Sequence, residues 1–349
     1  MVASTRSKII KTACVYVGII FGAGFASGQE HLSFFLQYGL WGVFGVILAA
    51  FFLGLCGWAV MDICVRNKLG SYKDFMQTVF GAKLGGVLDI ITGLFIFVVF
   101  SAMLAGTGAL ANETFGLPFS VGVFTAAILT FCVLLFDLRG MVEINTLISP
   151  ILIIGSLLMG LYAIFNAYTP AFALSAHAAF WPASALVYAA YNLITAAAVL
   201  SSLPNLVTSR KIAKYGGILG GAALGIIGVI LAAALFLNIN AIRDAQLPML
   251  ALARNYGHVT EYAYAILLFL AIFTTSITGG FSLVHWLSAR FGYKKLRIKI
   301  GIAIFGAAAA HAGFANIVAN AYTFFGFLGL FMMLAVIIYF LCGFNKTCS

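Results

Sequence analysis

A glycine-rich interruption near the N-terminus is the first stretch whose residue types suit the binding of an ion or a solute. In "CVYVGIIFGAGFASGQEHLSFF", residues 14–35, an apolar run is broken by Gly22, Gly24 and Gly28. Within a lipid bilayer an unpaired backbone N–H or C=O is costly, so a non-helical segment persists only where a ligand, an ion, water or neighbouring protein pairs with it. Glycines lower the cost of non-helical backbone angles, although the same glycines also suit close helix packing.

A broken helix offers two oppositely charged ends at mid-membrane. The inner half-helix directs carbonyl oxygens towards a cation. The outer half-helix, which we expect to start near Gly28, directs N–H groups towards an anion. The stretch therefore predicts adjacent places for a sodium ion and a carboxylate. We expect the solute to contact the backbone of five small residues: Gly22, Ala23, Gly24, Ala26 and Gly28.

Four hydroxyl side chains in a second apolar run form the other half of this candidate site. In "LAIFTTSITGGFSLVHW", residues 270–286, they are Thr274, Thr275, Ser276 and Thr278. Hydroxyl and carbonyl oxygens suit hard cations such as sodium. The alternative is that each hydroxyl donates to a carbonyl of its own helix, which is the usual fate of a lone membrane threonine.

Further polar residues within apolar runs are candidates for the solute site, a gate or a proton pathway. Tyr188, Tyr191 and Asn192 are the best candidates for contact with the solute, although aromatic residues also serve packing. Glu30 is either a gate or proton carrier or a solvated side chain, and an ionisable residue within a span is a functional candidate by default. His285 lies about three helical turns after the hydroxyls, where it either lines an inner exit or packs.

The composition places these stretches in a polytopic membrane protein. Of the 349 residues, 63% are hydrophobic and only 8% are charged, against roughly a quarter charged in soluble domains. The mean hydropathy is +1.11. We therefore expect an all-α integral membrane protein in contact with a lipid bilayer. Apolar windows of about 20 residues, the length that crosses a bilayer core, predict ten spans: 10–37, 41–65, 84–111, 119–136, 142–166, 183–207, 216–238, 260–289, 298–312 and 316–342.

Lys and Arg residues concentrate on one side of the predicted spans. If the N-terminus is cytoplasmic, only Arg243 and Arg254 of the 19 fall outside, which satisfies the positive-inside rule. The net charge of +10 is thus an orientation signal, and we expect no nucleic-acid partner. Both termini are predicted to be cytoplasmic, with Lys346 near the C-terminal end. We expect the first span to be retained and not to be cleaved as a signal peptide. Three carboxylates near inner ends of spans are expected to pair with basic residues or to form a cytoplasmic gate: Asp62, Asp89 and Glu143.

The ten spans divide into two halves of five, and an odd number per half gives the halves opposite orientations. Inverted repeats of this kind place a solute site at mid-membrane, where interrupted helices meet. We expect a single transporter domain over residues 1–349, with repeats at about 8–166 and 183–342. The polar pair Tyr191 and Asn192 lies about half the chain beyond Gly22, so we expect both helix 1 and helix 6 to be broken at mid-membrane.

The motif "VGIIFGAGFASGQE", residues 17–30, resembles the YkvI-type bacterial membrane proteins, and the chain is similar more distantly to the LeuT-fold amino acid–polyamine–organocation transporters. The likeness to LeuT rests on spans 1 and 8 and on the five-plus-five plan. It implies a sodium ion between these spans. The ligands would be the backbone carbonyls of Gly18, Phe21 and Ala271 and the side-chain hydroxyls of Thr274 and Thr275. On span 3, Phe100 and Ser101 stand nearest to the position of a substrate-binding tyrosine in those transporters.

The resemblance and the residues together predict a sodium-coupled symporter of a small organic solute, an amino acid or a related amine or zwitterion, that works by alternating access. Span 5 has no lysine or arginine of the kind that replaces sodium in proton-coupled relatives. The alternatives are a proton-coupled transporter or uniporter of the same fold, or a ligand sensor without net flux. No catalytic motif appears, so we expect no enzyme and no cofactor, with Na⁺ as the coupling ion. The expected location is the bacterial cytoplasmic (inner) membrane.

Overall fold

Helices account for the regular secondary structure in the part of the chain that the structure describes. It is a computed structural model that describes residues 4–135, 139–167, 178–242 and 245–345, apart from the side chains of 139–146, 178, 344 and 345. Two 3₁₀ turns, Leu36–Tyr38 and Ala178–Phe180, and one π-helical segment, Ile317–Tyr322, accompany the α-helices. The α-helices are α1 Thr5–Ile20, α2 Ala23–Ser27, α3 Gln29–Phe34, α4 Leu40–Arg66, α5 Tyr72–Phe115, α6 Phe119–Leu134, α7 Arg139–Phe165, α8 Trp181–Leu200, α9 Arg210–Leu237, α10 Ile239–Ile242, α11 Pro248–Asn255, α12 His258–Phe291, α13 Lys295–Ala310, α14 Phe314–Asn316 and α15 Thr323–Asn345.

These helices match the order of the ten predicted spans. Seven stretches of described helix are long and apolar enough to cross a membrane, and α6 is a shorter apolar helix. The 16-residue helices α1 and α13 correspond to the first and ninth spans. Non-helical angles at Gly81 interrupt α5, so its apolar part follows this kink. The prediction of an all-α membrane protein of about ten helices is confirmed.

The sixth span is an unbroken helix, so the predicted break near Asn192 is wrong. Helix α8 runs from Trp181 to Leu200 without interruption. The Asn192 side-chain amide donates to the Tyr188 carbonyl one turn earlier, at 3.0 Å, so its polarity is used within its own helix. The helix also contains no glycine, the residue that would lower the cost of non-helical angles. A polar residue at mid-span is therefore insufficient to predict a break.

Helices α4 and α9 form the most extensive contact between two described helices. Their backbones approach closely because glycines face each other. A Cβ atom placed on Gly54 would lie 3.8 Å from the Cα atom of Gly221, and one placed on Gly221 would overlap the Gly54 backbone. Small residues allow such packing between membrane helices, where dispersion contacts replace the hydrophobic effect as the main attraction.

We expect Gly221→Ala to destabilise the protein by about 1–3 kcal/mol, because the added methyl group meets backbone atoms that cannot rotate aside. Gly301→Ala is the matched control: a Cβ atom at this position in α13 meets nothing within 4 Å. Helix propensity alone predicts a small gain there. Thermal unfolding of both variants in detergent measures the difference, and an equal loss in Gly301→Ala would contradict the packing argument.

Carboxylates at the helix ends that are predicted to be cytoplasmic pair with arginines. Asp62 on α4 lies 2.7 Å from Arg66 and 2.8 Å from Arg210 at the start of α9. Asp89 on α5 pairs with Arg290 at the end of α12, at 2.9 Å. The predicted pairing is confirmed for both acids. Arg243 and Lys346 lie outside the described part of the chain, and so does the side chain of Glu143.

Candidate functional site

The first membrane crossing is interrupted by a tight turn at Phe21. Helix α1 ends at Ile20, and Phe21 has φ −74° and ψ 69°, the angles of an inverse γ-turn. The Gly22 N–H donates to the Ile20 carbonyl at 2.8 Å. In a continued helix this N–H would serve the Gly18 carbonyl, which therefore loses its helical donor. The predicted break in span 1 is confirmed, and it leaves backbone oxygen unpaired at the end of α1.

A second interruption follows at Gly28. Its φ of 81° is left-handed, a conformation that suits glycine, and it separates the one-turn helix α2 from α3. The outer part of the crossing therefore begins at Ala23 and not near Gly28, which corrects the expected position of its N-terminal end. All residues from 21 to 30 are buried. The break is closed to solvent from both sides in this conformation.

Helix α12 lies against the break through Thr275. A Cβ atom placed on Gly22 would lie 3.1 Å from the Thr275 hydroxyl oxygen, so this hydroxyl faces the turn directly. The Thr275 side chain is 5% exposed, and its hydroxyl has no hydrogen-bond partner among the described residues. Leaving a buried hydroxyl unsatisfied costs about 1–3 kcal/mol. An ion or a solute at the break would supply the missing partner.

The neighbouring hydroxyls divide into two kinds. Thr274 donates to carbonyls of its own helix, including that of Ala271 at 3.1 Å, and Thr278 donates to the Thr274 carbonyl at 2.9 Å. Ser276, like Thr275, is buried without a hydrogen-bond partner among the described residues. The alternative that each hydroxyl donates to a carbonyl of its own helix is therefore correct for Thr274 and Thr278. It is wrong for Thr275 and Ser276.

The five predicted sodium ligands lie on two elements that the structure brings together. The end of α1 carries Gly18 and Phe21, and α12, which contacts it, carries Ala271, Thr274 and Thr275. All five residues are buried. The Ala271 carbonyl accepts from the Thr274 hydroxyl in addition to its place in the backbone ladder of α12. The sodium ion itself stays a prediction, with Thr275 as the best-placed oxygen.

Two contacts that the sequence analysis missed hold the outer part of the break. The Tyr264 hydroxyl on α12 donates to the Ala26 carbonyl at 2.6 Å. On the α5 side, a Cβ atom placed on Gly106 would lie 3.3 Å from the Cβ atom of Ala23. Tyr264 and Gly106 stand in apolar runs with several similar residues, so neither residue type nor spacing singles them out.

Glu30 is buried beside the break, so the alternative of a solvated side chain is wrong. It is 4% exposed, and its Oε2 atom accepts a hydrogen bond from the Tyr188 hydroxyl at 3.0 Å. Its carboxyl group packs on Gly24, where any Cβ atom would overlap it. The left-handed turn at Gly28 makes this return possible, because α3 then leads the Glu30 side chain back towards α2. A role of Glu30 as a gate or proton carrier stays a prediction.

Aromatic rings from four elements pack around Tyr191, whose hydroxyl faces this carboxyl group. Around Tyr191, ring centroids lie at 5.3 Å for Tyr188, 5.4 Å for Phe34, 5.9 Å for Phe95 and 5.1 Å for Tyr322. The sequence analysis selected Tyr188 and Tyr191 and missed the other three, which belong to distant parts of the chain. We call the whole group the Glu30 cluster: Glu30, Phe34, Phe95, Tyr188, Tyr191 and Tyr322.

Two further hydroxyls of the Glu30 cluster are buried: that of Tyr191, which faces the Glu30 carboxyl group, and that of Tyr322, which has no hydrogen-bond partner among the described residues. The two side chains are 3% and 2% exposed. Both lie close enough to Glu30 to interact with it electrostatically. Tyr322 ends the π-helical segment, and π-helical turns occur frequently at functional sites.

The remaining predicted site residues lie apart from the break or bond within their own helices. The Phe100 ring packs against α13, since a Cβ atom on Gly306 would lie 2.6 Å from it. The Ser101 hydroxyl donates to the Phe97 carbonyl of its own helix at 2.9 Å. His285 is exposed on the inner part of α12. The structure therefore brings neither Phe100, Ser101 nor His285 to the break.

The chain is similar over almost its whole length to two uncharacterized proteins of Bacillus subtilis (strain 168). It is 29% identical to the membrane protein YkvI over 331 residues, which is 93% of this chain and 94% of YkvI. It is 24% identical to YyaD over 332 residues, 95% of this chain and 96% of YyaD. The predicted resemblance to YkvI is confirmed. No protein-family model matches the sequence.

Solved transporter structures share the arrangement of helices. MhsT in complex with L-phenylalanine superposes with a TM-score of 0.70 at 15% identity, over 95% of this chain and 88% of MhsT. The chain has the LeuT fold. The Eremococcus coleocola manganese transporter gives 0.65 at 15% identity, over 95% of this chain and 79% of that transporter. A Na⁺-coupled sialic acid symporter gives 0.65 at 13% identity, over 93% and 76%.

The LeuT fold accounts for the meeting of the first and eighth crossings that the two sequence motifs predicted. In this chain the meeting point is the turn at Phe21 and the hydroxyl of Thr275. The fold does not require the sixth crossing to be broken here, since α8 is continuous. Instead, α8 contributes Tyr188 and Tyr191 to the site from a regular helix.

Proposed function

We propose that the protein is a secondary active transporter, a symporter that couples uptake of a small organic solute to inward movement of sodium by alternating access. The LeuT fold and its occurrence in transporters support this proposal, as does a helix break that faces an unpaired hydroxyl. We place the protein in the bacterial cytoplasmic membrane with both termini inside, on the strength of its Lys and Arg distribution. The proposal includes no enzymatic step and no cofactor.

The buried Thr275 hydroxyl opposite Gly22 is the observation that carries the proposal. A sodium ion there would bind the Thr275 oxygen and the carbonyls that the break releases at the end of α1. By joining α1 to α12, the ion would favour the conformation in which the two helices touch, and its release would allow them to separate. A ligand shifts a conformational equilibrium by its differential affinity for the two states, which is the physical basis of coupling.

The first test is thermal unfolding of the detergent-purified protein in sodium chloride and in potassium chloride at equal ionic strength. A ligand that binds only the native state raises its apparent stability, so we expect a sodium-specific rise in the melting temperature. The double variant Thr274→Ala/Thr275→Ala is expected to lose this rise. An unchanged sodium response in the double variant would defeat the assignment of the ion site.

Uptake into proteoliposomes tests transport itself. With an inward sodium gradient, we expect accumulation of a labelled solute that stops when sodium is equal on both sides. Uptake that follows a pH gradient and ignores sodium would favour proton coupling. Stabilisation by a solute without any uptake would favour a sensor.

A further inference from the structure

We propose that the Glu30 cluster binds a small organic ammonium ion, so that the solute is an amine without a carboxylate of its own. The inference rests on the proposed function, because it names the substrate class of that transporter. It begins from a buried acid with no cationic partner. The described ion pairs involve Asp62, Asp89 and Glu261, whereas Glu30 faces only neutral hydroxyls: Tyr188 donates to it at 3.0 Å, and the Tyr191 hydroxyl also faces it.

The adjacent histidine does not supply the missing cation. The His31 ring stacks edge-on against Phe25, with centroids 4.9 Å apart. A Cβ atom placed on Gly228 of α9 would lie 3.5 Å from its Nε2 atom, so the ring faces α9. A buried carboxylate without a counter-charge is strongly unfavourable. A cationic ligand would satisfy Glu30 in a way that no described side chain does.

The surroundings of Glu30 suit an organic cation better than a metal ion. The cluster contains five aromatic rings packed beside Glu30 around Tyr191, and aromatic rings attract ammonium groups through cation–π interactions. The hydroxyl oxygens of Tyr191 and Tyr322 accept no hydrogen bond from the described residues, so both can accept from ammonium N–H groups. A carboxylate, two hydroxyl acceptors and a ring wall together match a protonated amine with an apolar body.

The position of the carboxyl group argues against a zwitterionic solute. Glu30 packs on Gly24 within the break, where the sequence analysis expected the carboxylate of the solute. Two carboxylates in one buried site repel each other, and one of them then resists ionisation. A solute that brings only an amino group avoids this repulsion and pairs with Glu30 directly.

Matched pairs of compounds test the inference on the purified full chain. Each pair is an amino acid and the amine with the same side chain: phenylalanine and 2-phenylethylamine, leucine and 3-methylbutylamine. Thermal unfolding in potassium chloride and in sodium chloride gives the half-saturating concentration of each compound. We expect the amines to raise the melting temperature and the amino acids to have no effect.

Three variants assign the effect to the cluster. Glu30→Gln keeps the shape of the side chain and is expected to raise the half-saturating amine concentration tenfold or more. Glu261→Gln removes another buried carboxylate, one paired with Arg254, and is the control that keeps the amine response. Tyr322→Phe keeps the ring and Tyr322→Leu removes it, so the leucine variant is expected to lose more affinity.

The outcomes separate this inference from the proposed function. Stabilisation by amino acids and not by amines, or an amine response of Glu30→Gln within twofold of wild type, overturns the inference. If amino acids then enter proteoliposomes with sodium, the symporter proposal still stands. If amines bind through Glu30 while sodium has no effect on stability or uptake, the inference stands and the proposal of sodium coupling is refuted.

Discussion

Thr275→Val is expected to lose about half or more of the sodium-dependent rise in melting temperature, whereas Thr274→Val keeps most of it. Valine preserves the branched shape of threonine and removes only the oxygen. The Thr275 hydroxyl faces Gly22 without a hydrogen-bond partner, while the Thr274 hydroxyl is bonded within α12 at 3.0 and 3.1 Å. The oxygen that is free to bind an ion is therefore that of Thr275.

The expected size follows from the loss of one polar contact to a charge. Such a contact contributes about 1.5–3 kcal/mol, which weakens sodium binding by about tenfold or more. At a sodium concentration of about 100 times Kd the ion stabilises the native state by about 2.7 kcal/mol, and a tenfold weaker site retains about 1.4 kcal/mol. Thermal unfolding across a sodium titration measures both variants. Equal losses in Thr274→Val and Thr275→Val would show that the hydrogen bond to α12 does not distinguish the two hydroxyls.

Asp62→Asn is expected to destabilise the protein by about 2 kcal/mol, between the losses typical of exposed and of buried ion pairs, because the arginines left behind are 13% and 43% exposed. Asp62 is 1% exposed and joins two arginines, Arg66 of α4 and Arg210 of α9. Asp89→Asn is the matched control. Its carboxyl is more exposed, at 17% against 1%, and pairs with the single arginine Arg290, and solvent-accessible pairs contribute less than about 1 kcal/mol.

We expect the same substitution to make the Cys64 thiol more accessible to alkylating reagents. A cavity of ≈ 320 Å³ lies between the inner ends of α4 and α8, and Cys64 lines it. Because the Asp62–Arg210 pair holds α4 to α9 beside this cavity, we expect Asp62→Asn to speed alkylation of Cys64. Peptide mapping after a timed reaction separates Cys64 from the other cysteines. Unchanged Cys64 reactivity together with unchanged stability would contradict a closing role for the ion pair.

The sequence predicted the membrane class, the order of the spans and the break of helix 1, but it was wrong about helix 6. The difference lies in glycine. The chain forms an inverse γ-turn at Phe21, where Gly22 leaves room for Thr275, and a left-handed turn at Gly28, whereas α8 has no glycine and stays helical around Asn192. A polar residue at mid-span therefore indicates a binding site. An unwound helix is indicated only where glycines also make non-helical backbone angles accessible.

The selection of site residues was partly correct for a related reason. Thr274 and Thr275 are adjacent in sequence and identical in type, so no pattern separates the hydroxyl that bonds within α12 from the one that faces the break. Phe100 and Ser101 were chosen by resemblance alone, and the structure turns them towards α13 and their own helix. Tyr322 was missed because a π-helical segment places it at the cluster, and that segment has no marker in the residue types.

The sequence by itself determined that this chain crosses the membrane about ten times and breaks its first helix, because apolar length and backbone pairing in lipid are properties of single segments. Only the tertiary structure decided that Glu30 is buried, that α8 bonds it through Tyr188, and that one threonine of two faces the break. Glu30 and Tyr188 are 158 positions apart, so their contact exists only once the helices have packed. The chemistry of the site thus depends on distances between segments that no local pattern encodes.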